Sequence, residues 1–181
     1  MIYFSEMKRL LLSISIVLTS VLAYGQAEFP ISQETGKIEY SKVISVPETG
    51  KGELFERAKL WLAAKIVSAK AAQEYSNPET GRIFSKTSVR IYDEVSGMHR
   101  ELGRTDFTIE INCKDNRYRV ILTDFEHSFD NGSPSPVDLR KEKSRPIMKG
   151  WWLAIKRETK SEILGVIESL EKGMVTEADD E

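Results

Sequence analysis

Between Arg104 and His127 two runs of strict alternation flank a polar turn, and no other feature limits the fold so closely. Phe107, Ile109, Ile111 and Cys113 alternate with Thr108, Glu110, Asn112 and Lys114; beyond Lys114-Asp115-Asn116-Arg117, Tyr118, Val120 and Leu122 alternate with Arg119, Ile121 and Thr123. A period of two sends each apolar set to one face of a strand, and the polar break between the runs closes a β-hairpin. Each apolar side chain contributes about 1.5–3 kcal/mol once buried, yet a two-stranded hairpin alone is marginal in water. The rest of the chain must therefore supply more strands and a helical cover.

The first residues are not expected to belong to that fold. Lys8 and Arg9 precede an apolar run from Leu10 to Leu22, and Ala23-Tyr24-Gly25 stands before Gln26. This is the layout of a secretory signal peptide cleaved after residue 25. The run is too short and too rich in Ser and Thr for a membrane span, which takes about 20 apolar residues. Met7 is an alternative start, since Glu6 is out of place in a positive leader. The remaining 156 residues, Gln26 to Glu181, have the length of one domain and enough chain for a core. They carry 24 basic and 27 acidic side chains, so no global positive field argues for nucleic acid. Cys113 is the sole cysteine, which rules out an internal disulfide, and none follows the apolar run to carry a lipid. A soluble periplasmic or secreted protein is expected, not an integral membrane protein after cleavage.

In chain order, Ala27 to Gln33 reads as irregular. Ile38 to Val46 reads as a strand with a bulge near Ser41-Lys42, which would bring Val43 to the same side as Ile38 and Tyr40. Pro47 ends it. The triplet Glu-Thr-Gly occurs at 34–36, 48–50 and 79–81, each time before a basic residue, and suits a turn with glycine at positive φ. Gly52 to about Gln73 has helical period, with Leu54, Phe55, Ala58, Trp61, Leu62, Lys65 and Ile66 on one broad face. Trp61 is a core anchor there rather than a ligand platform. After Asn77-Pro78, Arg82 to Tyr92 alternates as a second strand, and Asp93 to Gly103 reads as a polar connection into the hairpin. The hairpin's last strand continues through Asp124 to Phe129, and 130–136 is loop. Trp152, Ile155, Thr159, Ile163, Val166, Ile167, Leu170 and Met174 then share one stripe of a long C-terminal helix, followed by an acidic tail from 176 to 181. The order strand, helix, three strands, helix gives an α+β class: an antiparallel sheet of about four strands with helices on one face. Residues 26–146 form the main body, with the helix of 147–175 part of the same domain.

The turn-strand Thr35-Gly36-Lys37-Ile38, the helix start Glu53-Leu54-Phe55-Glu56-Arg57-Ala58 with Trp61-Leu62, the second Thr80-Gly81-Arg82-Ile83, and Cys113-Lys114-Asp115-Asn116-Arg117-Tyr118-Arg119-Val120 resemble an exported bacterial domain of unknown function with a TATA-binding-protein-like fold. The likeness runs from about Phe29 to Glu126. It implies a curved antiparallel sheet against helices in an envelope or secreted protein, and it assigns no activity and no site residue.

No catalytic, cofactor or metal motif emerges. Asp124, Glu126 and His127 are the densest group of ionisable side chains, with His99 the other histidine, but period two splits them between faces and no second ligand pair is suitably spaced. Cys113 closes an apolar face and reads as a small buried hydrophobe. Val46-Pro47-Glu48-Thr49-Gly50 resembles a sortase sorting signal, yet it is internal and lacks an apolar tail, so it reads as a turn. Nucleic-acid binding would need a basic face and aromatic wedges that the chain lacks. The one segment with the composition of a partner or anionic-membrane contact is Arg140, Lys141, Lys143 and Arg145 with Lys149 and Trp151, where Trp152 already serves the helix stripe. A non-catalytic module binding a protein or envelope component is the leading expectation. The alternative is a carrier of a small apolar ligand held between sheet and helix.

Overall fold

The computed structural model describes residues 29–65, 75–95, 98–129, 137–140 and 146–175. Among them run β1 (Tyr40–Ser45), α1 (Lys51–Lys65), β2 (Tyr75–Asn77), β3 (Arg82–Val95), β4 (Met98–Lys114), β5 (Arg117–Ser128), β6 (Val137–Asp138) and α2 (Pro146–Val175). All strand pairs are antiparallel, in the order β1-β5-β4-β3-β2 with β6 beside the far end of β5. The class is the expected α+β, with six strands instead of four. The two additions are three and two residues long, too short to show a period in the sequence.

The hairpin stands where alternation put it. Lys114 pairs with Arg117 around a two-residue turn in which Asn116 adopts φ 62°. Phe107, Ile109, Ile111, Cys113, Tyr118, Val120 and Leu122 are all buried beneath the helices. Past Leu122 the buried parity changes: Phe125 and His127 point inward while Asp124 and Glu126 are exposed. The cause is a bulge, since Asp106 faces Glu126 but Thr108 faces Thr123, and Asp124 takes φ 56°. β1 has no such bulge. It pairs in unbroken register with β5, so Tyr40, Ile44 and Val46 face inward and Val43, against expectation, lies 62% exposed on the other side.

The stretch Asp93 to Gly103, read as a connection, is mostly strand. β3 and β4 continue as a two-stranded ribbon out to the pairs Glu94 with His99 and Val95 with Met98. A register shift between Ile91 and Tyr92 is absorbed opposite by Gly103 at φ 119°. A Cβ at Gly103 would stand 2.3 Å from the Ser128 carbonyl oxygen, so only glycine fits this crossing of strands. The Glu-Thr-Gly triplets split: Gly36 and Gly81 hold positive φ, but in the middle copy Glu48 does so and Gly50 instead accepts the first helical bond from Leu54 N–H.

α1 buries Leu54, Phe55, Ala58, Trp61 and Leu62, whereas Lys65 is exposed; the expected continuation over 66–73 lies outside the described residues. Its start is fixed by the hairpin turn. The Lys51 N–H donates to Asp115 Oδ1 at 2.8 Å, and the Asn116 N–H donates to the Thr49 carbonyl at 2.9 Å. Asp115 thus places an anion at the helix N-terminus, where free N–H groups and the macrodipole favour one. α2 lays its stripe across β3 and against α1, with Trp152, Ile155, Thr159, Ile163, Ile167, Leu170 and Met174 buried and Val166 partly so. The helices approach closely where Gly173 meets the Trp61 ring, whose Nε1–H donates to Ser169 Oγ at 3.1 Å.

Candidate functional site

The expected contact segment falls only in part within the described residues. Lys141, Lys143 and Arg145 lie outside the described residues. Arg140 is exposed but engaged: its guanidinium grips both Asp138 oxygens and donates to the Gly36 carbonyl, and the neighbouring carboxylate raises its pKa through that hydrogen bond and its charge. It therefore pins β6 to the turn before β1. Lys149 and Trp151 lie elsewhere, at the start of α2, both exposed. The Arg100 guanidinium stacks 4.8 Å from the Trp151 ring centre and donates to Asp93 Oδ2 at 2.9 Å, while Arg157 donates to Asp93 Oδ1 at 3.0 Å. Asp93 is 7% exposed, and a buried carboxylate is tolerable because two guanidiniums hold it. This cluster fastens the β3–β4 ribbon to α2 and gives Trp151 a structural partner.

The bulge in β5 leaves Asp124, Glu126 and His127 apart. Asp124 bonds Lys37, and His127 is fully buried. Its Nε2 faces the Leu102 carbonyl at 3.1 Å, which places the ring proton there, and Nδ1 accepts from Thr105, which in turn bonds Thr159 of α2. The cluster satisfies polar groups between sheet and helix and offers no access to a substrate. No group of three or more His, Cys, Asp or Glu among the described residues is arranged to hold a metal ion. Cys113 is buried at the end of its apolar face, and burial pushes the thiol up to about 11, away from reactive thiolate.

Recesses mark the surface of the described residues. One of about 180 Å³ lies by Lys37, Asp124, Asp138 and Arg140. One of about 230 Å³ lies between sheet and helices, lined by Trp61, Lys65, Thr87, Val89, Glu162 and Val166; it is smaller than the roughly 300–1,000 Å³ of a ligand pocket and bears two charges. A third, about 370 Å³, is on the face of the sheet away from the helices, lined by Val43, Asn112, Lys114, Arg117, Tyr118 and Arg119.

That outer face carries the cross-strand row Tyr75-Phe84-Glu110-Ile121-Ser41, then the row Asn77-Arg82-Asn112-Arg119-Val43, with Lys114-Arg117-Ser45 at the end. Ion pairs cross it, with Arg82 on Glu110 at 2.6 Å and Arg90 on Glu101. The basic end of the hairpin was missed as a site because in sequence Lys114, Arg117 and Arg119 are the polar half of an alternation. The register alone shows that they meet.

Among the described residues no helix is long and apolar enough to cross a membrane. No curated protein matches the sequence. The structure is similar to a TBP-like protein from Parabacteroides distasonis (TM-score 0.60, 18% identity, covering 78% of this chain and 96% of that one). It is also similar to a DUF4468 family protein from Bacteroides ovatus (TM-score 0.62, 12% identity, 83% and 94%). At these identities the likeness speaks for fold, and the sequence itself matches the family model over residues 40–128. From β1 to the end of β5, then, the chain matches the family described as a domain of unknown function (DUF4468) with TBP-like fold.

Proposed function

We propose that this protein is a non-catalytic interaction module of the bacterial cell envelope, exported by its N-terminal signal and binding a protein or envelope component through the open face of its sheet. The observation that carries the reading is the contrast between the two faces. The inner one is filled by Leu, Ile, Phe and Trp from sheet and helices, and the recess lined there by Trp61 and Val166 holds about 230 Å³. The outer one is uncovered by any described element and presents Tyr75 and Val43, each about three-fifths exposed, among charged side chains. Aromatic residues and arginine are enriched at protein interfaces, and this face carries Tyr75, Phe84, Arg82, Arg117 and Arg119. Nucleic acid is a poor fit, because Glu110, Asp106 and Glu126 stand in the middle of the same face.

A photo-reactive amino acid at Lys86, on the outer face, tests this in the native host. It is expected to trap a discrete partner that the same group at Leu164, on the exposed side of α2, does not trap. Trapping from Leu164 but not from Lys86 would move the interface to the helix face and end the proposal.

A further inference from the structure

We infer that the recess at the open end of the outer face is an anion-recognition site that takes acidic side chains of a partner polypeptide. The inference deepens the reading above and rests on it. Lys114 stands directly opposite Arg117, and Arg119 lies two residues on along the same face of β5, flanked by Asn112 on one side and Val43 on the other. Like charges directly opposite one another in a sheet destabilise it. The nearby carboxylates do not compensate: Glu110 is taken by Arg82 and Asn112, and Asp115 by the Lys51 N–H. Among the described residues none of the three cations has an ion pair, and Arg119 donates its Nε–H to Ser41 Oγ at 3.0 Å, which lays the guanidinium across β1.

Sequences break local rules at functional sites more than elsewhere. Three uncompensated cations around a 370 Å³ recess, with Val43 and Ser45 at its border, constitute such a breach. An incoming carboxylate could accept from Arg117 and Arg119 together, and charge-assisted bonds of this type are the stronger class. The partner's chemistry follows from what lies beyond. One row inward the face carries Glu110, and further along Asp106 and Glu126. A continuous polyanion such as nucleic acid, or an anionic membrane plane, would be repelled there. A polypeptide with two or three acidic residues, flanked by neutral ones, would not.

The test is fluorescence anisotropy with the mature protein and a labelled peptide of alternating Asp and Thr, beside the same peptide with Asn for Asp. The Asp peptide is expected to bind saturably and the Asn peptide not. The Arg117→Gln, Arg119→Gln double variant should lose roughly tenfold or more in affinity, and higher salt should weaken binding. Lys65→Gln, at the exposed end of α1 and off this face, should bind as the parent does. Because the double substitution relieves repulsion, its melting midpoint is expected not to fall, which separates a binding role from a folding one. Equal binding of both peptides, an unaffected double variant, a lowered midpoint, or tighter binding of duplex DNA or inorganic phosphate than of the Asp peptide would each overturn the inference. If the peptide fails while cross-links from position 86 persist, only the chemistry assigned here falls; if both fail, the docking face falls with it.

Discussion

Tyr40, Cys113 and Tyr118 show how burial of a weak acid becomes a pH dependence. The hydroxyls of Tyr40 and Tyr118 are buried without a hydrogen-bond partner among the described residues. Burial pushes Tyr40 up to about 12 and Cys113 up to about 11; Tyr118 is raised further, by burial first and then by the charges of Glu171 and Cys113. In the unfolded chain these groups ionise near their ordinary values of 10 and 9. Above those values the unfolded state holds fewer protons than the folded one, so stability falls as pH rises, and below them the contribution is fully present. The urea midpoint is therefore expected to stay level from pH 7 to about 8.5 and to drop steadily through pH 9 to 11. A flat profile across the alkaline range would contradict the burial of these groups.

The glycine of α2 that meets α1 and the one that does not should respond oppositely to the same substitution. Gly165 lies mid-helix with open space around its Cα, so Gly165→Ala is expected to stabilise by about 0.5–1 kcal/mol through helix propensity. At Gly173 a Cβ would come within 2.8 Å of the Trp61 ring, and Gly173→Ala is expected to cost about 1–3 kcal/mol as the helices are wedged apart. Thermal melts of the two variants check the pair. Elements with a period were legible from the sequence: the α2 stripe and the described part of the α1 face emerge nearly residue for residue, Lys65 excepted and Ile66 lying outside the described residues. The outer ribbon of β3 and β4 was not, because Asp93 is a buried charge held by arginines from β4 and α2, and a partner 64 residues away leaves no mark on local pattern. Val43 misled for the opposite reason, an apolar residue on the exposed face inviting a bulge that β1 does not have.

For the molecule as a whole, the packed interior and the open face divide what the sequence disclosed from what it hid. The core was legible because hydrophobic periodicity records burial directly. The basic recess was not, since it depends on which strands are neighbours and in what register, and Lys114, Arg117 and Arg119 look individually like solvated positions. Export belongs to this scale too. The protein recovered from the periplasm or medium of its host is expected to begin at Gln26 by N-terminal sequencing; recovery of the full-length chain from the cytoplasm would count against the signal.

The capping of α1 by Asp115 has a temporal side. A helix of 15 residues is marginal by itself in water, and the carboxylate that receives its first N–H is made 64 residues later. A growing chain that has released α1 but not yet the β4–β5 turn holds a helix with no proper beginning. The cap that secures the start of α1 is thus available only once the hairpin turn has been made.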